Sequence, residues 1–166
     1  VSEPITITGD AATSYGGVLR SNGGSNIWSG RITCNGSRIR VNGGSLDIVG
    51  GVSGSSFVVG ANGGTFMRFA EKPILTSSLT AHSAGGGILL AVTNNAFTNL
   101  EVGGSYLRTD LPGVLPPAVT LQQGAGSAKN SFVDLNGNDQ TVGQFKTGWA
   151  GPEPRILYSV APATLT

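Results

Sequence analysis

A chain of 166 residues suffices for one domain, or for one segment of a longer protein, with an appreciable apolar core. It holds 27 Gly and only 11% charged residues, and its formal net charge of +1 excludes the basic field of a nucleic-acid binder and any charged disordered tail. A single cysteine excludes an intrachain disulfide framework, a single histidine excludes a multi-histidine metal site within the chain, and no apolar run is long enough to span a bilayer as a helix.

From the first residues onward, apolar side chains recur at spacing two in short bursts divided by Gly, Asn and Ser, with almost no helical periodicity. The chain opens at Val1 with neither a basic region nor an apolar signal segment, which reads as a processed or excised piece. Strand-like bursts follow at Ile5/Ile7, Ile32/Cys34, Ile39/Val41, Leu46/Ile48 and Phe57/Val59, then at Leu100/Val102, Val119/Leu121, Val133/Leu135 and Ile156/Tyr158. Within "GRITCNGSRIRVNGGSLDIVG", Ile32, Ile39 and Leu46 fall at steps of seven, with the turn pairs Asn35-Gly36 and Asn42-Gly43 between them. Strands this short gain little from pairing with their immediate neighbours, so bending at each turn and pairing one coil later is the better solution. Three strands at seven residues make a coil of about 21, near the lower end of solenoid periods. Residues 1–166 are therefore expected to form one all-β, right-handed parallel β-helix, a β-solenoid of about eight short coils, in preference to an antiparallel sandwich or barrel. Ile32, Ile39, Leu46, Val133 and Leu135 should line its core, and the Pro-rich "DLPGVLPPAV" should round a corner.

Little in the chain suggests chemistry. Nine acids are spread from Glu3 to Glu153, and the nearest pair, Asp134 and Asp139, divides between an alternating strand, where Asp134 should point outward, and a turn. His82, in "LTAHSAGGG", reads as a loop side chain, and "GAGSAK" lacks the Gly-Lys-Ser/Thr ending of a phosphate-binding loop. Arg31, Arg38 and Arg40 cluster in sequence and Trp28 could stack on a sugar, as a carbohydrate-active β-helix would require. Yet Arg38 and Arg40 alternate with Ile39 and Val41, the pattern of a solvated strand face. A threonine array of the ice-binding kind is interrupted by Arg-x-Arg and Ser-x-Asp. Cys34 reads as a small buried hydrophobe, with an interchain link or reactive thiol as the alternative. Asn35 heads the sequon "NGS" in an exposed turn. No catalytic, metal or cofactor-binding residue is assigned, and no cofactor is expected.

The segments "DLNGNDQTVGQF", "SNIWSGRIT" and "TNNAFTNLEVGGSYLRT" resemble the signatures of autotransporter-associated β-strand repeats and cover most of 16–148 in that family's usual order. The resemblance implies a segment of a large exported bacterial protein, built as a β-helical stalk or passenger. The chain departs from the family over Phe66 to Ser83, "FMRFAEKPILTSSLTAHS", where a bulge or loop is expected. The function this implies is non-enzymatic and structural: a repeat unit of an extracellular bacterial cell-surface fibre, filament or adhesin passenger. The alternative is a carbohydrate-binding or polysaccharide-degrading β-helix of the pectate-lyase or tailspike type. The ends, "VSEPITITGD" and "APATLT", are strand-like and read continuously when joined head to tail. End-to-end association with further copies or neighbouring repeats is therefore expected, with surface glycans as a further partner and neither nucleic acid nor a membrane span.

Overall fold

The computed structural model describes residues 1–9, 18–82, 85–124, 130–148 and 155–166. They form strands and turns only, without a helix. The first coil is β1 (Ile5–Thr8), β2 (Leu19–Ser21) and β3 (Ser25–Trp28); the second is β4 (Ile32–Asn35), β5 (Ser37–Val41) and β6 (Ser45–Ile48). The third is β7 (Val52–Gly54), β8 (Ser56–Ala61) and β9 (Phe66–Ala70), and the fourth β10 (Ile74–Leu75), β11 (Ser78–His82) and β12 (Gly87–Ala91). Later coils keep two strands each: β13 (Asn99–Gly103) and β14 (Tyr106–Thr109), β15 (Thr120–Gln123) and β16 (Ser131–Asp134), β17 (Gln144–Thr147) and β18 (Arg155–Tyr158).

Each strand pairs in parallel with its counterpart one coil away. The first sheet has four strands, β1-β4-β7-β10; the second runs β2-β5-β8-β11-β13-β15-β17 and the third β3-β6-β9-β12-β14-β16-β18, with seven strands each. The fold is thus an all-β parallel solenoid of about six turns rather than eight. Coils near the ends exceed 21 residues: Ile5 pairs with Ile32, and Leu107 with Val133. Six steps at about 4.8 Å give a rod on the order of 29 Å long.

Strand alternation builds the core. Ile32, Ile39 and Leu46 begin one coil's contribution on the three sheets in turn, and they are buried, as are Val133 and Leu135. Along the second sheet Leu19, Ile39, Val59, Ala81 and Val102 stack in one column. Along the third Leu46, Met67, Ile88, Leu107 and Val133 do the same, each level burying apolar surface against the next. Leu157 continues that column, so the inward residue of the last burst is Leu157, and Ile156 and Tyr158 face out. At the other end the column begins with Asn26, whose amide turns back to the Ser21 hydroxyl at 2.9 Å and the Gly23 carbonyl at 2.8 Å.

Tight corners explain much of the glycine. Asn-Gly-Gly recurs at Asn22, Asn42 and Asn62, where the chain passes from the second sheet to the third. Gly44 there has φ 72°, and a Cβ on it would land on the Gly24 carbonyl of the coil before. The asparagines stack as well, with Asn42 Nδ2 donating to Asn22 Oδ1 at 2.9 Å.

One expectation is corrected. Over Phe66 to Ser83 the described residues, which exclude Ser83, form neither bulge nor loop but three regular strands, β9, β10 and β11, in register with both neighbouring coils where these exist. The first sheet stops at β10. Beyond it the third side of the coil is irregular, and "DLPGVLPPAV" does round that corner, because Pro112, Pro116 and Pro117 have no N–H for a ladder.

Candidate functional site

On that irregular side the backbone is held by two buried side-chain amides. Asn95 accepts from the Ile74 N–H at 2.8 Å and donates to the Val92 and Val114 carbonyls at 2.7 and 2.8 Å, joining three successive coils. Gln140 accepts from the Leu115 N–H at 3.1 Å and donates to the Leu111 carbonyl at 2.8 Å. Its own backbone pairs with the C-terminal segment through Gln140 N to Thr164 O at 2.9 Å and Thr166 N to Gln140 O at 3.0 Å. Both are nearly inaccessible, Asn95 at 9% and Gln140 at 2% exposure, yet each is hydrogen-bonded on both its oxygen and its nitrogen. They replace the missing strand. The sequence placed them in "NNAF" and "NDQTVG" without disclosing this role; an amide amid buried apolar residues was the available signal.

The residues singled out for chemistry are scattered. Asp134 lies on the outer side of β16 by alternation, but it is not solvated: at 2% exposure it sits beneath Tyr106, whose hydroxyl donates to Oδ2 at 2.6 Å, while the Asn136 N–H donates to Oδ1 at 2.8 Å. Burial and the Asp134 carboxylate push the Tyr106 phenol well above the usual tyrosine range. Beside them Arg108 Nε donates to Asp110 Oδ1 at 2.6 Å, and Asn136 Nδ2 to the same oxygen at 3.3 Å. Asp139 is on the irregular side, its Oδ1 accepting the Thr164 N–H at 2.7 Å. The two acids thus serve different faces. Asp139 and Gln140 border a shallow groove of about 480 Å³ with Gly113, Leu115, Thr141 and Thr166.

Arg38 and Arg40 point away from the core on β5, but at 6% exposure each they do not form a solvated face. Arg40 extends across Gly60, which has no side chain, to Asn62 Oδ1 at 2.6 Å, and its Nε donates to Asn42 Oδ1 at 2.9 Å. His82 ends β11, in register with Gly103; desolvation together with Arg38 and Arg40 holds its pKa below the ordinary value despite Glu101. Arg31 is exposed before β4 and joins neither. Trp28, partly buried, packs against the core in register with Ile48. Cys34 is fully buried, and burial pushes its thiol up to about 11. Asn35 is exposed, as its turn predicted. The discarded "GAGSAK" lies, apart from Gly124, outside the described residues. Among the described residues no three His, Cys, Asp or Glu side chains gather as metal ligands, and no helix is long and apolar enough to cross a membrane.

Phe66, Tyr106, Phe132 and Tyr158, aromatic residues not considered as candidates from the sequence, face outward on the third sheet. Their phase was legible once Met67, Leu107 and Val133 were placed inside. No family model, curated protein or solved structure matches the chain. The fold and its internal hydrogen bonding therefore define its class, a parallel β-solenoid.

Proposed function

We propose that this chain is a non-enzymatic structural segment of an extracellular bacterial surface protein, a fibre, stalk or autotransporter-type passenger, whose work is to extend a stiff column. The observation that carries the reading is the continuity of the core, with the Asn95 and Gln140 amides tying successive coils where a sheet is lacking. Stability of such a column is a sum over neighbour interfaces, so coils can be added without redesign. The segment resemblance to autotransporter-associated repeats supports the surface location.

End-to-end contact with further copies or neighbouring repeats is part of the same proposal, and the geometry of the last coil supports it. Phe145 and Leu157 occupy inward columns on the last coil, yet remain 40% and 38% exposed among the described residues, and β17 and β18 are edge strands. Light scattering over a wide concentration range with negative-stain imaging tests this: axial oligomers or filaments are expected. A strictly monomeric particle at every concentration would sink the self-continuing unit. Location is tested by protease shaving of intact source cells, which should release peptides of this chain before cytoplasmic markers appear.

A polysaccharide-degrading role is the competing assignment. Incubation with acidic and neutral polysaccharides should give no new reducing ends or unsaturated products. Turnover abolished in Asp134→Asn, at an unchanged melting temperature, would establish the competing role.

A further inference from the structure

The described aromatic side chains divide cleanly. Phe57, Phe69 and Phe97 are buried in the core, Trp28 packs against it partly covered, and Phe145 continues the inward Leu121 column. The other four, Phe66, Tyr106, Phe132 and Tyr158, all stand on the outer face of the third sheet. Three lie in one register line, Phe66, Gly87, Tyr106, Phe132, parallel to the solenoid axis. Gly87 leaves no gap in it: a Cβ there would meet Phe66 Cδ1 at 2.6 Å and Tyr106 Cδ1 at 3.6 Å, so both rings lean over the glycine. Tyr158 joins from the next column, with its ring centroid 6.5 Å from that of Tyr106. Phe66 is 46% exposed and Tyr106, Phe132 and Tyr158 are half-buried, so the row presents ring surface to solvent along one face, a mark of a binding surface.

Polar groups flank the row. Asp47 and Arg68 pair at 3.7 Å on one side of Gly87's coil and Arg108 and Asp110 at 2.6 Å on the other, both only partly covered. The second sheet's outer face, with Thr80, Glu101 and Gln122 in line, has no such rings.

We propose that this face binds a linear, uncharged carbohydrate chain lying along the solenoid axis. A pyranose ring presents weakly positive C–H groups on its face, which suit the negative π-face of an aromatic ring. Its edge presents hydroxyls that need donors and acceptors of both kinds, which the Arg–Asp pairs supply. Because those pairs neutralise one another, no net field selects a polyanion. A bilayer would have to desolvate the carboxylates of Asp47 and Asp110, which opposes membrane insertion at this face. One ring line along the axis fits a ligand that is itself one-dimensional. The inference stands apart from the structural role, since a column segment can extend with or without it.

Isothermal titration and affinity electrophoresis with cellohexaose, mannohexaose, xylohexaose and N-acetylated chitohexaose test it. At least one should bind with a dissociation constant of about 1 mM or tighter. Phe66→Ala and Phe132→Ala should each weaken it about tenfold, and Thr80→Ala on the second sheet should leave it unchanged, all with melting temperatures near that of the parent. Binding by none of the four sugars, or undiminished binding by both ring variants, overturns the proposal. So does a concentration-dependent dimer in sedimentation that Phe66→Ala abolishes, which would assign the face to a second copy instead.

Discussion

Asn95 satisfies three buried backbone groups through one side chain. Replacing it by Ala would strand the Ile74 N–H and the Val92 and Val114 carbonyls in a buried setting. The expected cost is about 2–4 kcal/mol in urea unfolding. Asn95→Asp should be no milder, because a carboxylate cannot donate to the two carbonyls. A cost below about 0.5 kcal/mol for either variant would show that water or a shifted backbone replaces the amide. Cys34 supplies a second test at this scale. Its thiol is raised from 9.0 to about 11 in the folded chain, so the unfolded chain releases its proton first as pH rises. The contribution is present below pH 9, and stability should fall between about pH 9 and 11 by up to roughly 2–3 kcal/mol. Cys34→Ala should flatten that decline, and iodoacetamide at pH 8 should label Cys34 only when the chain unfolds.

At the scale of strands and turns, the alternation in "RITCNGSRIRVNGGSLDI" placed Ile32, Ile39 and Leu46 inside, and the structure agrees. What alternation could not disclose is whether an outward side chain meets water. Arg40 spans a glycine to reach the asparagines of its own coil and the next, and Asp134 is roofed by Tyr106, because neighbours on an outer face come from residues some twenty positions away. The recurrence of Asn-Gly-Gly at Asn22, Asn42 and Asn62 was the signal for that spacing. Ile39→Asp should cost several kcal/mol, about 4 or more, as an uncompensated buried charge. Arg40→Ser should also cost about 1–3 kcal/mol, since it abandons Asn42 and Asn62. Thermal unfolding that finds Arg40→Ser neutral would return Arg40 to the solvated face. Turns offer a matched pair, because Gly36 and Gly44 both have positive φ, 67° and 72°, but only Gly44 has a carbonyl where its Cβ would go. Gly36→Ala should cost about 1 kcal/mol and Gly44→Ala clearly more, and equal losses would mean that close coil stacking does not govern the corner.

For the whole molecule, the parallel solenoid was legible because three strands, two turns and the next strand fit one short period. The coil number was less so, since the stretches from Ile5 to its partner Ile32 and from Leu107 to its partner Val133 are longer than that period. The ends are unlike one another: Asn26 stands where later coils place Leu46 to Leu157, while Phe145 and Leu157 stay partly bare. Axial growth at the β17–β18 side should therefore be more sensitive to substitution than growth at the β2–β3 side. Leu157→Ser should reduce any filament population more than Ile27→Ser does, as imaging at matched concentration would register.

The core columns, the asparagine corners and the aromatic line all require coils stacked in parallel, one period apart. Disulfide trapping measures that directly in solution. Thr33 on β4 and Ser53 on β7 are register partners in successive coils, with their hydroxyl oxygens 3.5 Å apart. In a Cys34→Ala background, Thr33→Cys with Ser53→Cys should oxidise to an intramolecular bond in the folded chain, since strand neighbours at about 4.8 Å lie within disulfide reach. Thr33→Cys with Thr80→Cys, placed on different sheets two coils apart, should stay reduced. Rapid bond formation in the first pair alone is the predicted result; a first pair that stays reduced while the second closes would contradict the stacked solenoid.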